Sequence, residues 1–163
     1  MDYNILIGGA AGQGVETLSS VFEKLLKGNG FKLFSIRDYM SRIRGGHNFA
    51  QIRFADHCLY SHVDALDGII ALNDETVDNH INRLKPEGFI ICDNGTQRED
   101  HRIIKLPLIA TARRIGNIRV SGSVALGAAM GLLGLKLDEA ENVYNQFFRP
   151  DIANLNVKAI LEG

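Results

Sequence analysis

The first thirty residues constrain the fold more than any other part of the chain. Tyr3 to Ile7 is a short apolar run with Ile5, Leu6 and Ile7 in succession. That is the pattern of a strand buried on both faces. Gly8-Gly9-Ala10-Ala11-Gly12-Gln13-Gly14 interrupts it. Val15, Leu18, Phe22, Leu25 and Leu26 then recur on one stripe of a helix, and Gly28-Asn29-Gly30 supplies residues that accept a left-handed helix end. A buried strand feeding an amphipathic helix through a glycine turn begins an alternating β/α layout.

The remainder alternates between the same two periods. Phe31 to Ile36 and Phe49 to Ala55 read as strands, separated by a polar loop from Arg37 to Asn48, with a hairpin return through Cys58-Leu59-Tyr60. Gly68 to Leu72 is a further buried strand. Asn73 or Asp74 caps a helix whose core face is Val77, Ile81 and Leu84. Pro86-Glu87-Gly88 reads as a turn into strand Phe89 to Cys92, followed by strand Arg102 to Leu106 and a short helix from Leu108 to Ile115. Ser121 to Leu135 is an almost uniformly apolar, hence buried, helix. Asp138 and Glu141 have capping-box spacing before a helix bearing Ala140, Tyr144, Phe147 and Phe148, and a last helix runs from about Asn154 to Leu161. The expected fold is α/β, a three-layer α/β/α sandwich with a mainly parallel sheet, and residues 1–163 suit one domain.

Bulk properties exclude several functions. A formal net charge of -1 provides no global field for nucleic acid or a membrane surface. The longest apolar stretch, Gly122 to Leu135, is shorter than the roughly 20 residues of a membrane span. The N-terminus enters a strand without a basic region or cleavage site, so the expected location is the cytoplasm. Cys58 and Cys92 are too few for a disulfide framework or iron–sulfur ligation. His57, Cys58 and His62 match no zinc spacing, and no metal site is expected. No nucleophile–base pair or paired carboxylates stand out, so no catalytic residue is assigned.

Two segments carry chemistry. The turn containing Gly8, Gly9, Gly12, Gln13 and Gly14 lets backbone approach a ligand at a helix start, where free N–H groups favour a phosphate or carboxylate. Its order is not the dinucleotide fingerprint, and Val15-Glu16 stands where a nucleotide P-loop needs Lys-Ser/Thr. Arg42, Arg44, Gly45, Gly46, His47 and Asn48 gather two guanidiniums, a glycine pair, an imidazole and an amide in one loop, and arginine grips phosphate through a planar fork. Both segments should lie beyond the carboxyl ends of the strands, where open α/β sheets bind ligands. An anion site without chemistry suits a module serving an enzyme built from several parts. An independent phosphate-ester or nucleotide-binding α/β protein is the alternative.

Together, Ile7-Gly8-Gly9-Ala10-Ala11-Gly12-Gln13-Gly14-Val15, Arg42-Ile43-Arg44-Gly45-Gly46-His47-Asn48 and Gln51-Ile52-Arg53 resemble the gamma module of 2-oxoacid:ferredoxin (acceptor) oxidoreductases. Leu72-Asn73, the run from Glu87 to Asp93 and the helix near Val124 to Leu133 suit the same module, so the resemblance covers nearly the whole chain. It implies a gamma subunit, or a gamma domain fused ahead of alpha, in a complex that oxidatively decarboxylates a 2-oxoacid such as pyruvate or 2-oxoglutarate to acyl-CoA. It implies alpha and beta subunits as partners, with delta a further candidate, and electron delivery to ferredoxin. Thiamine diphosphate, magnesium and iron–sulfur clusters are implied on the partner modules, with coenzyme A the one cofactor this module could touch. Ala10-Ala11 departs from the more glycine-rich turn of many relatives.

Overall fold

A computed structural model describes residues 1–38 and 46–163. Arg42, Arg44 and Gly45 of the basic loop lie outside them. Among the described residues six strands form one sheet: β1 (Asp2–Ala10), β2 (Lys32–Asp38), β3 (His47–Ala55), β4 (Leu66–Ala71), β5 (Leu84–Asp93) and β6 (Ile103–Leu106). Their order is β2-β3-β1-β4-β5-β6. β1, β4, β5 and β6 pair in parallel, whereas β3 is antiparallel to both β1 and β2. Residues 39–46 are too short a connection for a parallel crossover, which needs roughly a dozen residues or more, so β3 must reverse.

Alternation along the strands divides the core in two. Ile5, Ile7, Ile52, Phe54, Ile70 and Ile91 pack with α1 (Val15–Gly28), α3 (Leu108–Ile115), α4 (Ser121–Leu132), α5 (Ala140–Asn145) and α6 (Pro150–Glu162). Leu6, Ile69, Ala71, Ile90 and Cys92 face α2 (Asp74–His80) and the 3₁₀ turn Ile81–Arg83. Helices therefore cover both faces of a mainly parallel sheet, as the alternation of periods predicts, but the second layer is thin. Its cover is completed by the β3–β4 connection. Asn4 Nδ2 donates to the carbonyls of Val63 and Ala65 at 2.8 and 2.9 Å, and Gln51 Nε2 donates to Val63 at 2.6 Å. The expected strand return through Cys58-Leu59-Tyr60 is not formed. β3 is already paired on both edges, and buried amides on β1 and β3 take the connection's carbonyls instead.

Three other expectations change. Pro86 lies inside β5, where the register against β4 shifts between Leu66 and Gly68. A residue without an N–H is tolerated at such an irregularity. The capping box at Asp138 and Glu141 does not form. Glu139 is the N-cap of α5, and its side chain accepts from Asn142 instead. The last helix begins at Pro150, earlier than its apolar pattern indicates, because proline is preorganised for the first helical position.

α4 is buried along most of its length. A β-carbon on Gly127 would run into the Ile160 carbonyl, so this glycine sets how closely α6 approaches. Between the helices, Tyr144 Oη donates to Ser123 Oγ, which donates to Asn156 Oδ1, both at 2.7 Å. This buried chain ties α5, α4 and α6 together.

Candidate functional site

The glycine turn divides into two halves with different tasks. Gly8 and Gly9 end β1 and are glycines because of packing. A β-carbon on Gly8 would lie 2.5 Å from Thr76 Cγ2, and one on Gly9 would lie 2.8 Å from Gln13 Oε1. Gly12 and Gly14 are glycines because of conformation. Their φ values are 90° and 79°, in the left-handed region. Both face open space. Gly14 is the N-cap of α1 and provides no capping side chain, so the helix start is open to a ligand.

Gln13 is turned inward. Its Oε1 accepts from the Ala10 N–H at 2.7 Å, and its Nε2 donates to the Leu72 carbonyl at 3.1 Å. β1 leads to α1 on one face and β4 leads to α2 on the other, which makes their adjacent ends the switch point of the sheet. Gln13 closes that crevice. The open space lies beside it, on the face of the larger helical layer. A cavity of about 690 Å³ extends from Gly12–Gly14 and Thr17 to α4, α5 and α6. Leu18, Leu72, Val120, Phe148 and Ile152 form apolar walls, and Arg119 and Arg149 stand at its margin. Arg149 is 2.9 Å from Asp151, whereas Arg119 has no ion-pair partner among the described residues. Asp93 also borders the cavity, but its carboxylate is engaged by the Gly95 and Ile109 N–H groups at 2.9 and 2.8 Å and caps α3. Size, apolar walls and few polar groups are those of a small-molecule site.

Of the second predicted segment, Gly46, His47 and Asn48 are described. The Gly46 carbonyl accepts from the Ala11 N–H at 3.3 Å, which places the end of that loop against the glycine turn. His47 instead enters the thin α2 layer. It meets His80, Nε2 to Nε2, at 2.8 Å, and its ring stacks on Phe49. Burial pulls both imidazoles below the ordinary histidine range, His80 to about 4, with the charges of His47 and Arg83 adding to the effect at His80. The two segments thus meet at the backbone while Gly12–Gly14 and His47 serve opposite faces.

Sequence reasoning passed over Thr17, Arg119 and Arg149. Thr17 carried a weak signal as a polar residue in the first turn of α1, but the arginines reach the cavity only through tertiary packing. Among the described residues no three His, Cys, Asp or Glu side chains gather to hold a metal ion. None of the described helices is long and apolar enough to cross a membrane.

The family model for pyruvate ferredoxin/flavodoxin oxidoreductase matches residues 4–163. The chain belongs to that family. Within it, the chain is similar to 2-oxoglutarate synthase subunit KorC of Archaeoglobus fulgidus, 26% identical over 99% of this chain and 86% of that protein. It also resembles part of 2-oxoacid:ferredoxin oxidoreductase 2, subunit alpha, of Aeropyrum pernix, 31% identical over 60% of this chain. The match spans 15% of the length of that alpha subunit. Among solved structures, the gamma subunit of keto/oxoacid ferredoxin oxidoreductase from Geobacter sulfurreducens has a TM-score of 0.82 and 25% identity, covering 99% of this chain and 94% of that one. The 2-oxoglutarate:ferredoxin oxidoreductase of Magnetococcus marinus, with 2-oxoglutarate, coenzyme A and succinyl-CoA bound, has a TM-score of 0.87 at 22% identity and shares the fold over 98% of this chain and 30% of its own.

Proposed function

We propose that this chain is the gamma subunit, or the gamma-type domain, of a cytoplasmic 2-oxoacid:ferredoxin oxidoreductase, in which it supports assembly and lines the path of coenzyme A. The observation that carries the reading is the near-complete mutual coverage with gamma-type proteins, 99% and 94% in one case and 99% and 86% in another. In this reading the alpha and beta modules hold thiamine diphosphate, magnesium and the 2-oxoacid, and electrons leave through iron–sulfur clusters to ferredoxin. Specificity for pyruvate, 2-oxoglutarate or another 2-oxoacid then lies on those partners. This chain's own part is to bind and exclude water: Gly12–Gly14 and the start of α1 face the cavity, and an anionic group held there meets N–H donors and the positive end of the helix.

Coenzyme A suits this site by chemistry. Its phosphates match the helix start and the arginines, and its less polar arm matches the apolar walls. The test is reconstitution of 2-oxoacid oxidation from this chain and its partner chains. Omitting the chain should abolish coenzyme A-dependent turnover. The combined Arg42→Ala, Arg44→Ala and Arg119→Ala variant should raise the KM for coenzyme A about tenfold, the scale of one or two charge-assisted contacts. Unchanged KM in an assembled variant would remove coenzyme A from the reading. A second reading, an independent phosphate-ester binder, draws support from a cavity built wholly within one chain. It predicts that the chain alone gains thermal stability from a phosphate ester, without partners.

A further inference from the structure

His47 and His80 form a second polar cluster, separate from the cavity, in which His80 is buried and His47 half-buried. Their Nε2 atoms are 2.8 Å apart. Two ring nitrogens form a hydrogen bond at that distance when one carries a proton and the other offers a lone pair. The group on the far side decides which. Arg83 Nη1 lies 3.1 Å from His80 Nδ1, and a guanidinium only donates. His80 Nδ1 therefore accepts, its proton resides on Nε2, and that N–H is donated to His47 Nε2. His47 must carry its own proton on Nδ1. That atom is buried and has no hydrogen-bond partner among the described residues. Arg83 is itself held in place, because its Nη2 donates to Gln51 Oε1 and its Nε lies 2.9 Å from the Asp64 carboxylate. The same order of protons excludes a metal bridge between the rings, since Arg83 leaves His80 Nε2 without a lone pair.

We infer that Arg83, His80 and His47 form a tautomer-locked latch that pins the first residue of β3 to the α2 layer, and that one proton taken up by His47 opens it. The proton comes from solvent and adds to the lone pair of His47 Nε2. The hydrogen bond from His80 is lost, and no covalent bond breaks. Two N–H groups then face each other and must separate. The surrounding charges select His47. Glu75 on α2 and Asp38 at the end of β2 favour a cation there. Arg83 disfavours one on His80, against a smaller opposing effect from Asp64 on the β3–β4 connection. From β1 the neighbour of His47 is Gly8, which has no charge. Burial holds both rings neutral at neutral pH, so the latch is closed there and opens in acid. His47 directly follows Gly46, whose carbonyl meets the Ala11 N–H of the glycine turn, so the latch bears on how the start of β3 sits against that turn.

Long-range proton–nitrogen NMR of the full chain, labelled in its histidine rings, tests this without any ligand or partner. At pH 7 the expected state is His47 protonated on Nδ1 and His80 on Nε2. On acidification His47 should become cationic first, with a midpoint below the ordinary value of about 6.5, and the backbone signals of Gly46 to Phe49 should move in the same step. Either ring in the opposite tautomer, or His47 titrating at the ordinary midpoint while His80 is unmoved, overturns the latch. Arg83→Met should mix the His80 tautomers and raise the His47 midpoint, and unchanged tautomers in a folded variant would also overturn it. If that variant does not fold, the wild-type spectra decide.

Discussion

At the scale of single residues, the turn shows what a local signal can reveal. Gly12 and Gly14 were legible because a left-handed conformation is a property of the position itself. Gln13 was legible as a member of the motif but not as its internal brace, because its partner carbonyl on Leu72 lies fifty-nine residues away. Replacing Gln13 by Ala leaves the Ala10 N–H and the Leu72 carbonyl to find other partners. The expected cost is about 1–2 kcal/mol of stability by urea unfolding, with the α1 start less ordered. The histidines were equally hidden, since His47 and His80 meet only when β3 and α2 share a face. Their burial has a consequence in acid. The folded pKa of His80, about 4, lies below its unfolded value near 6.5. Between those values the unfolded chain binds more protons, so stability falls as pH drops from about 6.5 to about 4 and does not change for this reason above 6.5. A loss of about 3 kcal/mol is expected across that window. Denaturant midpoints at pH 7, 5.5 and 4.5 measure it, and His80→Gln should flatten the profile.

At the scale of elements, periodicity located most strands and helices to within a few residues, but Leu84, expected on the core face of the second helix, opens β5 well before the expected strand start at Phe89. The misses have a common origin in pairing and competition. The sequence from Cys58 to Tyr60 resembles a strand, but the sheet offers it no free edge. Pro86 reads as a turn, but a register irregularity accommodates it inside β5. Asp138 and Glu141 have capping spacing, but α5 starts one residue later than that spacing requires. The small face of α4 was legible as a packing surface, although only the fold shows that Gly127 opposes α6, Gly131 faces open space and Gly134 takes a positive φ. Gly127→Ala should therefore displace α6 from α4 and cost about 2 kcal/mol, the usual scale of overpacking. Gly131→Ala should be neutral or slightly stabilising through helix propensity. Equal effects of the two substitutions on thermal unfolding would contradict this packing account.

At the scale of the whole molecule, the chain combines a complete helical layer on one face with a thin layer on the other, and the elements needed for redox chemistry are not evident in its sequence. Several large apolar side chains remain exposed, including Tyr60 at 87% and Leu161 at 64%. Exposure of this kind fits a subunit with partners, though single exposed side chains are common on any surface. The resemblance to a gamma module was legible because its two motifs are local in sequence. The cavity was not, because its walls come from α1, α4, α5 and α6 and its marginal arginines from connections between helices. The most direct measurement is anaerobic affinity purification of the tagged chain from its own host, with native mass and an absorption spectrum. The subunit account predicts a brown complex containing larger chains and thiamine diphosphate. A colourless protein recovered alone would contradict it.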